Sequence, residues 1–254
     1  MGDYVPNSVL GRAMLLLNVF TADDSALPLV ELVRRTGLPK TTAYRLSREL
    51  EELGLLGRDR QGRYRLGRHL FELGMRASSE RQLVEVAMPF LQDLYVRTLE
   101  TVHLGVLENN EVVYISKIGG HRQARAPSRI GGRMPTHCTA IGKILLAFSE
   151  PEVIHELLSD PLSALTPRTI TAPGILKQQL TRALKEGVAY EFEESSVGLT
   201  CVAAPILDPN DQPIAAVSVA GSAIRFKPEK HAHDVRTAAA GIVATLARRH
   251  ELTH

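Results

Sequence analysis

Residues 36–56 read TGLPKTTAYRLSRELEELGLL, and this stretch decides the fold of the N-terminal part of the chain. A Thr-Gly-Leu-Pro turn precedes a segment with apolar residues at helical spacing, namely Ala43, Leu46, Leu50 and Leu53. The basic residues of this predicted helix come first, and its acids come only in its second half. Cations near a helix N-terminus oppose the helix macrodipole. The order of charges therefore indicates that an anionic partner docks on that end.

Further elements are predicted on both sides of this helix. Residues 8–20 (SVLGRAMLLLNVF) and 28–37 (PLVELVRRTG) carry apolar residues at helical spacing, and Gly37 suits the left-handed end of a helix. Downstream, LLGRDRQGRYRLG predicts two short strands around Arg60-Gln61-Gly62, because glycine favours the turn of a hairpin. Residues 1–66 therefore read as a helix-turn-helix domain with a wing, the wing being the hairpin.

The positive charge of the chain is concentrated in one block. Residues 34–68 hold ten basic and four acidic residues, a net charge of +6, which leaves −4 for the other 219 residues of a chain whose total is +2. A basic block on a mildly acidic body is expected of a protein that binds nucleic acid. The alternative is a small helical bundle with a solvated basic rim, but the order of turn, helix and wing favours DNA.

Nine side chains of this region are predicted to contact double-stranded DNA. The start of a recognition helix enters the major groove, where Arg45 could form a bidentate contact with guanine. Arginines of the wing would reach the neighbouring phosphates without reading sequence. The candidates are Lys40, Thr41, Thr42, Tyr44, Arg45, Arg48, Arg60, Arg63 and Arg65.

The rest of the chain predicts a linker helix over residues 67–79 and an α+β domain over residues 80–254. The linker carries an apolar stripe of Leu66, Leu70 and Leu73, which needs a partner, either the larger domain or a second subunit. After residue 80, helices alternate with strands joined by hairpins rather than by regular crossovers. This order predicts a mixed or antiparallel sheet flanked by helices.

The strands and helices of the second domain can be placed along the sequence. TVHLGVLENNEVVYISKI predicts two strands around Asn109-Asn110, and VAYEFEES, TCVAAPILD and PIAAVSVAG predict three more. RQARAPSRIGGRMP (122–135) is strand-like and rich in turns, whereas HCTAIGKILLAFS (137–149) is helical. A last helix is predicted from about Glu229, with four side chains facing inward: Val235, Ala239, Ile242 and Leu246.

No catalytic, cofactor or metal site is predicted. His137 and Cys138 are adjacent, so they do not face each other on a helix or a strand. The sequence IGKI lacks the glycine and the Ser or Thr of a phosphate-binding loop. Two other pairs also offer no site: Glu193 with Glu194, which reads as a strand edge, and His231 with His233, which lack a third ligand.

The composition is that of an ordinary globular protein, with 44% hydrophobic and 23% charged residues. No apolar run approaches the roughly 18–20 residues that cross a bilayer, and the N-terminus lacks the pattern of a signal peptide. Two cysteines are too few for a disulfide framework. A cytoplasmic protein with reduced thiols and no membrane partner is expected.

Three stretches resemble the isocitrate lyase regulator (IclR) family of bacterial transcription factors. They are VELVRRTGLPKTTAYRLSRELEELGLLGRDRQGRYRLG, GGRMPTHCTAIGKILLA and GVAYEFEESSVGLTCVAAPILDPNDQPIAAVSVAG, in the order of the family. The resemblance implies a GAF-like effector-binding domain in the C-terminal two-thirds and a homodimer or dimer of dimers on DNA.

The same resemblance implies an effector pocket. Ala140 and Ile141 would offer backbone N–H groups, which suit a carboxylate at a helix N-terminus. Cys201 and Ser218 would face the pocket from adjacent strands, and Glu191 corresponds to an acidic pocket position. The family often has a second serine in its last strand, where this chain has Ala220.

The sequence therefore predicts a DNA-binding transcriptional regulator whose affinity for its operator is controlled by a small organic acid. An aromatic or monocarboxylic acid is favoured over a dicarboxylate, since Glu191 would repel a second anionic group. The alternative is a small-molecule sensor or enzyme whose N-terminal domain contacts a protein partner.

Overall fold

The computed structural model describes residues 8–21, 23–76, 78–119 and 127–252. The chain divides into two compact units, with the boundary between Arg81 and Gln82. Within the described residues, no helix combines the length and the apolar character needed to cross a membrane.

The first unit is a three-helix domain followed by a hairpin. Its elements are α1 (Val9–Asn18), α2 (Leu29–Thr36), α3 (Lys40–Glu52), β1 (Leu56–Arg58) and β2 (Tyr64–Leu66). The two strands pair antiparallel, and Leu27 forms a bridge to Tyr64 on the other edge of β2. The helix-turn-helix with a wing that the sequence predicts is therefore confirmed.

The ends of these helices follow from their local sequence. Ser8 caps α1, because its hydroxyl accepts the Gly11 N–H at 3.0 Å. Gly37 ends α2 in the left-handed conformation with φ of 68°, where other residues are strained. The core between the helices and the hairpin is made by buried side chains, among them Leu16, Leu32, Leu46 and Tyr64.

The prediction of one core residue of α3 is wrong. Leu53 was expected on the apolar face with Ala43, Leu46 and Leu50, but its side chain is 64% exposed. The helix ends at Glu52, and Gly54 follows with φ of 71°. The chain turns away there, so the helical periodicity no longer applies to residue 53.

The predicted linker helix is shorter than expected. Helix α4 covers Arg68–Gly74, and the next helix, α5 (Ser78–Thr98), contains Pro89. Gly67 precedes α4 and lies so close to the turn after α3 that an added Cβ atom would lie 1.9 Å from the Gly54 carbonyl oxygen. Leu66 and Leu73 of the predicted apolar stripe are each 43% exposed, and the neighbouring Phe71 is 69% exposed, so this segment leaves apolar surface open to solvent in the single chain.

The second unit is built on one sheet of six strands. They are β3 (Thr101–Glu108), β4 (Glu111–Ile118), β5 (Arg133–Pro135), β6 (Ala189–Phe192), β7 (Leu199–Leu207) and β8 (Pro213–Ser222). Their order is β5-β4-β3-β8-β7-β6, and every described pair is antiparallel. Asn109 and Asn110 both have positive φ, as a tight hairpin turn requires.

Helices cover both faces of this sheet. They are α6 (Ala140–Phe148), α7 (Pro151–Leu157), α8 (Pro173–Glu186) and α9 (Ala232–Leu252), with a short 3₁₀ turn at Pro228–His231. One apolar cluster joins α5 and α9 to the sheet, and another joins α6 and α8 to it. The predicted α+β class is confirmed. Of the segment 122–135, which was predicted to be strand-like, residues 122–126 lie outside the described part, and β5 is the strand that the described residues 127–135 form.

Candidate functional site

The exposed side of α3 from Lys40 to Arg48 is polar and basic. Thr42 is half-buried there. The other predicted DNA-contact residues of this helix are exposed, namely Lys40, Thr41, Tyr44, Arg45 and Arg48. No side chain caps this helix, whose N-cap position is Pro39. The first N–H groups of a helix have no partner within it, so this end offers donors to an anion.

The acids of α3 pair with its arginines. Arg45 Nη1 lies 2.6 Å from Glu49 Oε1, and Arg48 Nη2 lies 3.4 Å from Glu52 Oε1. Exposed pairs of this spacing stabilise a helix by only about 0.3–0.5 kcal/mol. Either guanidinium can therefore leave its carboxylate for a phosphate or a base at little cost.

The three wing arginines on the predicted list differ in their surroundings. Arg60 and Arg65 are exposed, and neither forms an ion pair among the described residues. Arg63 is half-buried, and its Nε donates to Asp59 Oδ2 at 2.7 Å. Asp59 Oδ1 also accepts the N–H groups of Gln61 and Arg63, which closes the turn of the wing. Arg63 thus has a structural partner that the sequence pattern did not reveal.

A fourth wing arginine connects the wing to α3. Arg58 Nε lies 3.1 Å and 3.2 Å from the two carboxylate oxygens of Glu51, and its Nη2 donates to the Tyr64 hydroxyl at 2.6 Å. Its guanidinium carbon lies 4.3 Å from the centre of the Tyr64 ring. The hydrogen bonds that Arg58 donates to Glu51 raise the pKa of Arg58. Sequence analysis counted Arg58 only as positive charge, because seven residues and a turn separate it from Glu51.

In the second unit, all five predicted effector residues line one cavity. It lies between the first turn of α6 and the facing strands of the sheet. Glu191 pairs with Cys201 across β6 and β7, and Cys201 pairs with Ala220 across β7 and β8. The remaining lining residues include His103, Tyr114, Ser128, Met134, Thr139, Ser195 and Leu199.

The cavity is small and lacks a cationic wall. Its volume is about 20 Å³, which is room for about one water molecule. No lysine or arginine is among the described residues that line it. Within the described lining, positive potential for an anion therefore comes from backbone groups.

The first turn of α6 supplies such groups. Thr139 caps the helix, because its hydroxyl accepts the Gly142 N–H at 3.1 Å and its carbonyl accepts that of Lys143 at 2.9 Å. No acceptor is found within the described residues for the N–H groups of Ala140 and Ile141, both of which line the cavity. Free N–H groups at a helix N-terminus attract a carboxylate.

Glu191 lies on the cavity wall and is fully buried. Its Oε1 accepts the N–H groups of Glu194 at 2.7 Å and of Ser195 at 3.0 Å, and lies 3.3 Å from the Ser195 hydroxyl. Its Oε2 has no hydrogen-bond partner in the described part of the chain. Burial raises the pKa of Glu191, while the hydrogen bonds from Ser195 and the nearby Cys201 thiol oppose that rise.

His103 joins two of the serines that line the cavity, Ser128 and Ser218. Its Nε2 lies 2.7 Å from the Ser128 hydroxyl oxygen, and its Nδ1 lies 3.4 Å from that of Ser218. Burial, with a smaller contribution from Lys117, lowers the pKa of His103 to about 3, so the ring is neutral at physiological pH. His103 is not among the residues predicted from the sequence. The alternation of side chains between the two faces of β3 is the one signal that could have indicated it.

A buried ion pair lies behind the cavity. Lys143 Nζ is 2.5 Å and 2.7 Å from the two carboxylate oxygens of Glu194, and both side chains are almost fully buried. The prediction that Glu193 and Glu194 form a strand edge is therefore wrong for Glu194. Residue 193 has φ of 57°, and this turn directs Glu194 inward toward α6.

The residues considered for other chemistry form no reactive group. Burial raises the pKa of Cys138 to about 12, and burial likewise raises that of Cys201, so both thiols are protonated. His137 Nε2 bonds the Ser163 carbonyl oxygen at 2.9 Å. Among the described residues, no three His, Cys, Asp or Glu side chains are placed to hold a metal ion.

Comparison with known families matches both units. Residues 9–60 match the IclR helix-turn-helix domain, and residues 75–247 match the family described as bacterial transcriptional regulator IclR C-terminal. The chain is similar to the HTH-type transcriptional regulator KipR of Bacillus subtilis (strain 168), with 32% identity over 88% of this chain and 90% of KipR. It is also similar to the transcriptional repressor IclR of Escherichia coli (strain K12), with 31% identity over 87% of this chain and 82% of the repressor.

Solved structures of the same fold agree with these matches. An IclR homolog from Microbacterium hydrocarbonoxydans, solved in complex with 4-hydroxybenzoate, has a TM-score of 0.90 and 34% identity, over 95% of this chain and 100% of that one. The IclR of Thermotoga maritima has a TM-score of 0.76 and 32% identity, over 93% of this chain and 98% of that one.

Proposed function

The chain belongs to the IclR family of DNA-binding transcriptional regulators, and we propose that a small monocarboxylic acid, aromatic in preference, controls its affinity for an operator. The acid occupies the cavity at the start of α6, and α3 and the wing bind the DNA. The protein works in the cytoplasm as a regulator and not as an enzyme.

The distribution of charge in the first unit supports the DNA contacts. The exposed face of α3 carries Lys40 in its first turn, which is unfavourable for the helix alone, and Arg45 and Arg48 follow on the next turns. A phosphate at that end would reverse the sign of the effect. Arg60 and Arg65 extend the basic surface onto the wing, where they are available to the backbone of the duplex.

One observation supports the acid effector above all others. Five residues line one cavity, namely Ala140, Ile141, Glu191, Cys201 and Ser218. Two backbone donors at a helix N-terminus accommodate one carboxylate. Glu191 and the absence of a described basic side chain from the wall disfavour a second carboxylate. The aromatic ring of Tyr114 and the side chains of Met134 and Leu199 offer apolar contacts to a ring. The 4-hydroxybenzoate bound by the Microbacterium homolog is an acid of this class.

The small size of the cavity explains how binding of the acid could change the affinity for the operator. A cavity with room for about one water molecule must widen before it accepts a benzoate ring. The acid therefore binds a widened state of the second unit more tightly than the closed one. A ligand changes an equilibrium only through such a difference in affinity, so widening is the step that can alter operator binding.

The exposed apolar residues of the first unit support a dimer. Val9, Leu10 and Met14 of α1 are 56%, 80% and 51% exposed, and Phe71 of α4 is 69% exposed. Two recognition helices on a pseudo-palindrome give the specificity that one cannot. We assign these apolar surfaces to contacts between subunits in a homodimer or dimer of dimers.

The test begins with an operator obtained by selecting random duplex DNA on the full-length protein. Gel-shift titrations then measure the dissociation constant at several salt concentrations, with and without benzoate or 4-hydroxybenzoate. Steep salt dependence and a change in affinity with acid are expected. An enzyme or protein-binding module would show no DNA affinity, and a regulator of another effector class would bind DNA without responding to the acids.

A further inference from the structure

A short segment between α7 and α8 is attached to both walls of the cavity at the start of α6. We call residues 163–169 the strap. Near its first residue, the Ser163 carbonyl oxygen lies 2.9 Å from His137 Nε2, just before α6 begins. Further along, the Thr166 hydroxyl donates to the Glu193 carbonyl oxygen at 2.7 Å, in the turn that follows β6. The strap therefore bridges two elements that enclose the cavity.

Thr169 adds a second attachment to the same turn. Its hydroxyl donates to the Glu194 carbonyl oxygen at 2.6 Å. It also accepts the N–H groups of Leu165 and Thr166 at 3.0 Å and 2.9 Å, which orders the strap internally. The exposed Arg168 side chain forms an ion pair with this turn as well, at 2.5 Å. An exposed pair contributes little, so the two threonine hydroxyls are the main attachment.

These attachments oppose widening of the cavity. The first turn of α6 follows His137, and Glu191 and Ser195 on the opposite wall flank the turn that the strap holds. Three residues lead from Ser163 to Thr166, and a fully extended chain of three spans at most about 10–11 Å. The strap thus limits how far the walls separate while both attachments are intact. The cavity, with a volume of about 20 Å³, must widen before it accepts a benzoate ring.

A buried ion pair ties the same two walls more firmly. Lys143 of α6 holds both carboxylate oxygens of Glu194, at 2.5 Å and 2.7 Å. Separating this pair would leave buried charges uncompensated, which is costly. A hydrogen bond from a threonine hydroxyl to a carbonyl can be exchanged for bonds to water at a small net cost. The strap is therefore the tie that yields when the walls separate, while the ion pair stays intact.

We propose that Thr166 and Thr169 are positioning residues that hold the cavity closed, and that the strap must release the turn after β6 before an acid enters. This inference rests on the proposed acid effector and adds the element that sets its affinity. When a ligand binds only the open state, its apparent dissociation constant is the intrinsic constant divided by the open fraction. Weakening the strap raises the open fraction, so it should tighten the binding of the acid.

Calorimetric titration of the full-length protein with benzoate and with 4-hydroxybenzoate tests this sign. Thr166→Val keeps the shape of the side chain and removes the hydroxyl. It should bind the acids about 3- to 10-fold more tightly than the natural protein, although it unfolds at a lower urea concentration. Thr166→Ser retains the hydroxyl and should keep the natural affinity.

A matched control removes a threonine hydroxyl elsewhere in the second unit. The Thr181 hydroxyl donates to the Lys177 carbonyl oxygen at 2.9 Å within α8, outside the strap and the cavity lining. Thr181→Val should therefore leave the affinity for the acids unchanged. Thr169→Val should bind the acids more tightly for the same reason as Thr166→Val, and it replaces that variant if circular dichroism shows that Thr166→Val does not fold.

Amide hydrogen exchange on the natural protein gives a measurement that needs no variant. A bound ligand generally slows exchange around its site, and slower exchange is expected at the start of α6. Release of the strap predicts the opposite for residues 163–169, which should exchange faster when the acid is bound. A purely structural role of the two threonines would not produce faster exchange in the complex.

The outcomes separate the strap from the acid effector. If the acids bind the natural protein, but the Thr166 and Thr169 valine variants bind them equally or more weakly, the role of the strap is overturned and the acid effector stands. Exchange of residues 163–169 that the acid slows or leaves unchanged would overturn it as well. If neither acid binds although the operator does, then the acid effector fails and this inference fails with it.

Discussion

Arg58 and Glu51 join the wing to the recognition helix, with the Arg58 guanidinium nitrogen 3.1 Å from the carboxylate. The same guanidinium contacts the Tyr64 hydroxyl and ring on the other strand of the hairpin. The wing is therefore held at a fixed position on α3 within the first unit. A wing that is fixed before binding loses less conformational freedom on DNA.

Arg58→Lys should weaken operator binding although it keeps the charge. Lysine cannot make the forked contacts to Glu51 and Tyr64, so the wing becomes mobile. We expect about a 3- to 10-fold loss of affinity with an unchanged salt slope, measured by gel shift. Arg60→Lys is the matched control, because Arg60 makes no ion pair in the described structure. Equal effects of the two substitutions would contradict a positioning role for Arg58.

Arg45→Ala should cost about 1–3 kcal/mol at the operator and relax discrimination at one base pair. Glu49→Gln is the informative partner, since it releases Arg45 from its 2.6 Å ion pair and should leave affinity equal or higher. Both variants can be scored by selecting preferred sequences from a duplex library. Unchanged specificity in Arg45→Ala would mean that α3 reads the operator through other residues.

Arg65→Ala should reduce specific and non-specific binding alike and lower the salt slope by about one unit, as expected for a single phosphate contact. Arg63→Ala should have the same electrostatic effect and should also loosen the wing turn, because Arg63 is bound to Asp59 at 2.7 Å. Amide hydrogen exchange of residues 59–64 distinguishes the two, with faster exchange in the Arg63 variant only. A salt slope that neither variant changes would remove the wing from the interface.

Most elements could be predicted from the sequence because their signals are local. Helical spacing and the glycine at position 37 fixed α2 and α3, and Asn109-Asn110 fixed the first hairpin of the sheet. The linker helix was predicted too long, because the prediction left out the stop signal of Gly74, at which α4 ends. Leu53 was misplaced because periodicity does not reveal the last residue of a helix.

The candidate site was predictable only where a family resemblance supplied it. The five predicted effector residues stand at positions 140, 141, 191, 201 and 218. No periodicity of the sequence joins positions so far apart. The Lys143–Glu194 pair and the contact of His103 with Ser218 were missed for the same reason, since 51 and 115 positions separate the partners. Only the strand register and the packing of α6 on the sheet bring them together.

The buried ion pair should behave differently when one or both partners are replaced. Glu194→Gln should lower the free energy of unfolding of the second unit by about 3–5 kcal/mol, because it leaves the Lys143 ammonium buried and uncompensated. The double substitution Lys143→Met with Glu194→Leu should recover most of that loss. Urea unfolding of the natural protein, Lys143→Met, Glu194→Leu and the double variant completes the cycle, and additive losses would show that the two charges do not interact.

His103 should make stability fall in acid. Its pKa is about 3 in the folded chain against an ordinary value near 6.5, so the unfolded chain binds the extra proton between those values. The loss begins as the pH falls below about 6.5, and at pH 5 it amounts to about 2 kcal/mol. His103→Gln should remove this part of the pH dependence in urea titrations. His155→Gln, on the exposed side of α7, should leave the dependence unchanged.

The most direct measurement is operator affinity with and without acid, for the natural protein and for Ser218→Leu. Ser218 lines the cavity, so leucine should fill the space that the acid needs, whereas Ser222→Leu lies outside the lining as a control. We predict that benzoate or 4-hydroxybenzoate changes operator affinity at least about fivefold in the natural and Ser222→Leu proteins. Ser218→Leu should bind the operator normally and not respond. A full response in Ser218→Leu would contradict the assignment of this cavity to the effector.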